Sequence, residues 1–215
     1  MIPIISIVGK SDSGKTTLIE KLLPELVHRG YRIATVKHDV HGFEVDREGK
    51  DSWRHKKAGA HTVIISSSQK VALIRDVEKD MTLEELRAKF IQDVDLILSE
   101  GYKKDAQPKI EVFRKEKHKE LLCTKEDNLV AIVSDETFHV GVPCFGLDDM
   151  KGLGDFIEAT FLRSRSQSKP MKVEPLCRNG FFCVPTSIFV RDSSAHDPEG
   201  FFTEGNADGL PCRKA

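Results

Sequence analysis

SIVGKSDSGKTTLIEKL, residues 6–22, joins an apolar run to an amphipathic one through two glycines and a lysine. The stretch fits the pattern G-x-x-x-x-G-K-[ST] with Gly9, Gly14, Lys15 and Thr16. Each fixed residue type has a physical reason. The glycines let the backbone curl so that successive amides point inward at phosphate oxygens. Lys15 brings a point charge to the outer phosphates, and the Thr16 hydroxyl is placed to hold magnesium. The helix beginning there adds its positive dipole end. Ser13 and Thr17 complete the candidate nucleotide-binding set within the loop. An apolar strand before the loop and an amphipathic helix after it are independent requirements of the motif, and both are met.

The surrounding periodicity predicts a βαβ unit: a strand over 3–8, a helix over 16–29 with Leu18, Leu22 and Leu26 at helical spacing, and a strand over 31–38. A polar loop and a short helix ending near Gly59 follow. Then come two β-branched runs, HTVIISS and KVALIRD, and a helix over 82–92 with Thr82 and Glu85 set as a capping box. Further strands are predicted at 94–100, 109–115, 129–135 and 142–147. A closing helix carries Leu153, Phe156, Ile157 and Phe161 on one face. This alternation implies an α/β fold of the P-loop NTPase type, a layered domain over 1–163 with a mostly parallel sheet flanked by helices. Residues 164–170, SRSQSKP, read as a linker, and 171–215 as a C-terminal extension, either docked on the main domain or partly disordered.

Composition narrows the function. A chain of 215 residues holds one domain with some left over. A net charge of -1 gives no footprint for nucleic acid or an anionic membrane. No apolar run is long enough to span a bilayer, and no signal peptide is evident, so the expected location is the cytoplasm. The cysteines stand at 123, 144, 177, 183 and 212 without a CxxC pair. That spacing argues against a disulfide framework, and Cys177, Cys183, His196 and Cys212 are too irregular for a standard zinc site.

Magnesium and water activation require a carboxylate near the outer phosphates, and in an open parallel sheet ligands sit at the carboxyl ends of the strands. Glu100 ends VDLILSE at that edge and is the candidate Walker B acid, whereas Asp95 lies at the strand's beginning. Asp39, just past the second strand, is a second candidate for metal binding and catalysis, or else a turn-capping aspartate. The loop from His38 to Asp51 reads as a switch contacting magnesium and the γ-phosphate, as a transition-metal site with His38 and His41, or as a solvated loop. For base recognition, TKED (124–127) matches a guanine motif on paper but follows no buried strand. Asp135, directly after LVAIVSD, is better placed to accept from guanine. Lys10 looks like the extra lysine in the deviant loop of dimerising P-loop ATPases, where it reaches the partner's nucleotide. The glycines that follow it there are replaced by Ser11 and Asp12, so an exposed loop lysine is the other reading.

Two longer stretches, KHDVHGFEVDREGKDSWRHKKAGA and SEGYKKDAQPKIEVFR, combined with the phosphate loop and LVAIVSD, resemble the MobB family of molybdopterin-guanine dinucleotide biosynthesis adapter proteins. The resemblance covers most of residues 1–163. It implies a homodimer that binds GTP with magnesium, hydrolyses it weakly at most, and assists the guanylyltransferase that joins GMP to molybdopterin, with molybdopterin itself a further candidate ligand. Gly9, Gly14, Lys15, Thr16 and Thr17 match the family's phosphate loop. Lys37, His38 and Asp39 match its strand end, and Asp46, Gly49, Lys50 and Asp51 the next loop. Glu100 and Gly101 match its acidic strand end, while Lys109 and Glu111 fall in PKIEVFR. The competing readings are a P-loop small-molecule kinase, which would carry an arginine-rich lid, and a metallochaperone GTPase, which would carry a His-rich stretch or a Cys-His pair.

Overall fold

The computed structural model describes residues 1–39, 42–117 and 119–163. The proposed linker and extension, the second loop histidine His41, and the cysteines and histidine of the tail lie outside the described residues.

The apolar run before the phosphate loop forms β1 (Ile4–Val8), buried at every position. Helix α1 (Lys15–His28) follows and leads to β2 (Ile33–Lys37). The order continues with α2 (Asp51–Lys57), β3 (Thr62–Ser66), β4 (Val71–Arg75), α3 (Leu83–Phe90), β5 (Leu96–Glu100), β6 (Lys109–Phe113), β7 (Leu129–Ser134), β8 (Cys144–Gly146) and α4 (Met150–Ile157). Six strands make one sheet in the order β2-β5-β1-β6-β7-β8, with every pair parallel. The two β-branched runs do not enter it. They pair antiparallel with each other as a separate hairpin, β3–β4.

A parallel sheet needs cover on both faces. On one face Ile5 and Ile7 of β1 meet Leu18, Leu22 and Leu26 of α1 and Leu153 and Ile157 of α4. On the other, Ile4 and Ile97 meet Leu83 of α3, and Val8, Phe113 and Ile132 form a second cluster. Two polar side chains lie deep in this sheet without penalty: Ser6 and Ser99, neighbours in register, share a hydrogen bond of 2.8 Å.

Helix α3 begins with the predicted capping box: Glu85 N–H donates to Thr82 Oγ1 and Thr82 N–H to the Glu85 carboxylate. The closing helix departs from the sequence expectation. Its α-helical part ends at Ile157, and a π-helical turn runs over Glu158–Leu162. The wider turn carries Leu162, five residues after Ile157, onto the buried face, leaving Phe161 only partly covered. Among the described residues no helix is long and apolar enough to cross a membrane.

Candidate nucleotide site

The loop between β1 and α1 sits at the carboxyl edge of the sheet. Gly9 has φ +153°, and a Cβ there would stand 2.6 Å from both the Val112 carbonyl oxygen and Ser13 Oγ. Gly14, the residue before the helix, is left-handed at φ 93°. Asp12 also takes a positive φ, 59°. These conformations curl the loop back on itself, with Ser13 N–H donating to the Lys10 carbonyl at 3.3 Å. Helix α1 starts with no side-chain cap and no acid in its first turn, so its end presents amides and positive dipole to the loop.

The loop's side chains fit an anion. Ser13 Oγ is buried and has no hydrogen-bond partner among the described residues, an arrangement that costs free energy unless an acceptor or donor arrives. Lys15 Nζ folds back to donate to the Lys10 carbonyl at 2.7 Å, which holds its charge over the loop. Lys10 itself is exposed, as is Thr17. Thr16 Oγ1 lies 3.2 Å from each oxygen of the Glu100 carboxylate. Thus the hydroxyl and the carboxylate expected to hold magnesium, 84 residues apart in sequence, meet in space. One hard oxygen from each is the donor set that a small divalent cation takes when phosphate oxygens and water supply the rest.

Asp39 follows the end of β2, where Lys37 stands opposite Glu100 in register, and its side chain is exposed. His38 N–H donates to the Glu100 carbonyl at 2.9 Å. The His38 ring turns away from the loop. Its Nε2 donates to Asp80 Oδ2 at 2.7 Å, and the ring lies 4.9 Å from Tyr102. A carboxylate can only accept, so the hydrogen belongs to Nε2. Among the described residues, no group of three His, Cys, Asp or Glu side chains gathers as a metal cluster.

Asp135 is exposed at the carboxyl end of β7, two strands from β1, and its Oδ1 accepts the Lys115 backbone N–H at 3.0 Å. TKED sits elsewhere. Residues 125–127 form a 3-10 turn just before β7, at the amino edge of the sheet. Asp127 is engaged in holding the Thr124 N–H at 2.8 Å, which keeps its carboxyl below the ordinary value. Lys109 and Glu111 serve the scaffold rather than the loop. The buried Lys109 ammonium donates to the carbonyls of Asp105 and Asp127, and Glu111 accepts N–H from Leu122 and Cys123 at 2.7 and 2.9 Å.

Arg114 reads in the sequence only as one of several scattered arginines, not as a residue of the site. It follows β6, and its guanidinium lies beside Gly14, where a Cβ would be 3.6 Å from Nη2. It shares a small crevice with Thr17 and Lys21. The signal was present in its position at a strand's carboxyl end next to β1, but strand order is not readable from the chain.

Comparison with known proteins agrees with this geometry. The family profile of MobB, molybdopterin guanine dinucleotide synthesis protein B, matches residues 4–135. The chain is similar to the molybdopterin-guanine dinucleotide biosynthesis adapter proteins of Haemophilus influenzae and Escherichia coli. It is 37% identical to the former over 158 residues, covering 73% of this chain and 88% of the relative. To the latter it is 36% identical over 163 residues, covering 73% and 92%. Among solved structures, a molybdopterin-guanine biosynthesis protein B matches with TM-score 0.59 and 34% identity, over 73% of this chain and 97% of that one. Bacillus subtilis MobB matches with TM-score 0.58 and 32% identity, over 74% and 97%. A P-loop, a Thr16–Glu100 pair and a six-stranded parallel sheet thus coincide with a family match over the same residues: this chain belongs to the MobB family of molybdopterin guanine dinucleotide synthesis proteins.

Proposed function

We propose that the chain is a GTP-binding adapter that assists the guanylyltransferase joining GMP to molybdopterin, with weak magnesium-dependent GTPase activity at most. The observation that carries the reading is the Thr16–Glu100 pair at 3.2 Å beneath a loop whose Ser13 hydroxyl is buried and unpaired. In this reading Gly9, Ser13, Gly14, Lys15 and Thr17 hold phosphates and Lys10 closes over them. Thr16 and Glu100 hold magnesium, with Asp39 at the rim, and Asp135 accepts from the guanine edge. Magnesium supplies charge neutralisation between the outer phosphates. Low turnover is supported by the lack of an arginine-rich segment that could close over a transferring phosphoryl group.

The same reading makes the protein a cytoplasmic homodimer. For the dimer, the support is the β3–β4 hairpin, an isolated two-stranded sheet of a kind that is marginal alone in water. It leaves Ile64, Ile65, Val71 and Leu73 exposed, with two open edges. The experiment is nucleotide binding and turnover with magnesium and GTP, ATP or UTP, alone and with the guanylyltransferase. The expected result is GTP binding with turnover far below once per minute. Rapid transfer of the γ-phosphoryl to a small acceptor would overturn the adapter reading in favour of a kinase.

A further inference from the structure

The strand order sets out a line across the carboxyl edge of the sheet. On one side of β1 stands β5, which ends at Glu100, and on the other β6, which ends just before Arg114. One strand further on, Asp135 follows β7. The start of α1 is divided along this line: Thr16 faces Glu100 at 3.2 Å, whereas Gly14 and Thr17 adjoin Arg114. The backbone after Arg114 is tied to Asp135, since Lys115 N–H donates to Asp135 Oδ1 at 3.0 Å. Arg114 is half-buried, and its guanidinium makes no hydrogen bond and no ion pair among the described residues. Asp148 feels its charge, but that carboxylate is bound by Lys21 at 2.6 Å, which is the larger cause of its lowered value.

We propose that Arg114 holds the α-phosphate of the loop-bound nucleotide, the one that joins the nucleoside to the outer phosphates. The inference rests on the proposed GTP reading, in which magnesium sits at Thr16 and Glu100 and the base at Asp135. A nucleotide with those two ends fixed has to cross the end of β6, and covalent order puts its α-phosphate between base and metal-bound phosphates. Arg114 stands at that crossing. Electrostatics calls for an anion there. A half-buried guanidinium without a partner, beside the positive end of α1 and the Lys15 charge, is unfavourable until a negative group arrives. Its planar fork of parallel donors matches two oxygens of one phosphate, which the point charge of a lysine does not. The crevice it shares with Thr17 and Lys21 has room for about 10 Å³, no more than a water, so a ligand has to come from the open side toward the loop. Lying across β1 from Glu100, Arg114 is also kept away from the γ-phosphate, where an arginine would speed hydrolysis.

The test compares the full chain with Arg114→Met and Arg114→Lys, each checked for folding by urea denaturation. Affinities are measured for magnesium-GTP, magnesium-GDP and the two diastereomers of GTPαS, in which one or the other free α oxygen is replaced by sulfur. The parent chain should bind one diastereomer more tightly than the other. Arg114→Met should weaken GTP and GDP by the same factor, about tenfold or more, because both carry the same α-phosphate, and should bring the diastereomer ratio close to one. Arg114→Lys keeps the charge without the fork, so it should weaken both nucleotides less. It supplies the same comparison if Arg114→Met does not fold. A loss confined to GTP would put Arg114 at the γ-phosphate, and an equal loss with the diastereomer ratio kept would put it at the sugar or base; either overturns the inference. So would unchanged affinities in folded variants, or no diastereomer preference in the parent. Each of those results leaves GTP binding at the loop standing, whereas a parent chain that binds no nucleotide refutes the proposed function and this inference together.

Discussion

Gly9→Ala and Gly14→Ala separate the two roles glycine plays in the phosphate loop. At Gly9 a Cβ would stand 2.6 Å from the Val112 carbonyl and from Ser13 Oγ, inside the 3.0 Å that real Cβ atoms respect. The serine hydroxyl can swing away, but the Val112 carbonyl belongs to a buried strand with no room to retreat. Val112 is 1% exposed, and Val8, paired with Glu111 on the same strand, is 2% exposed. Left-handed backbone strain contributes about 1–2 kcal/mol and the overpacking about 1–3 kcal/mol, a destabilisation of about 2–5 kcal/mol. Gly14→Ala meets only the flexible end of Arg114, at 3.6 Å, so the conformational term of about 1–2 kcal/mol stands alone. Urea denaturation of both variants measures the difference directly. Gly9→Ala no less stable than Gly14→Ala would refute the argument that the loop is clamped against β6.

Further outcomes follow from the same contacts. Glu100→Gln keeps the hydrogen-bonding shape of the side chain but removes its charge, so magnesium should no longer tighten GTP binding, a loss of about tenfold or more by titration with and without the metal. Lys109→Met should destabilise the domain by about 2–4 kcal/mol in urea, because the carbonyls of Asp105 and Asp127 lose a buried charged donor. Glu158 accepts from Tyr31 at 3.0 Å and from Arg29 at 2.9 Å, which holds its carboxyl below the ordinary 4.5. Its contribution is therefore complete above pH 4.5 and fades as the pH falls through the lower folded value. Glu158→Gln should cost about 1–2 kcal/mol at pH 7, with the gap to the parent protein closing as acid unfolding curves are carried below pH 4.5.

The legible part of the protein was local. The loop pattern, the βαβ unit around it and the Thr82–Glu85 cap depend on residues within a few positions of one another, and the structure places them as the sequence implies. The place of Glu100 at the sheet's carboxyl edge was legible for a different reason: strand direction alone separates an acid at a carboxyl end from one at an amino end, without coordinates. What escaped was decided by packing between distant segments. The β-branched runs at 62–75 look the same whether they join the main sheet or pair only with each other. The face of the last helix turned on a π turn that admits Leu162. Arg114 beside Gly14 and the His38–Asp80 contact each join segments whose proximity no periodicity encodes.

In the proposed function the loop at Gly9–Thr17 holds a guanine nucleotide through Lys15. Calorimetric titration of the full chain and of Lys15→Ala with magnesium-GTP and magnesium-ATP decides whether it does. Predicted is saturable binding of GTP at one site per chain, weaker binding of ATP, and loss of both in a Lys15→Ala variant whose unfolding midpoint is unchanged. Undiminished GTP binding by Lys15→Ala, or no nucleotide binding by the parent chain, would contradict the account.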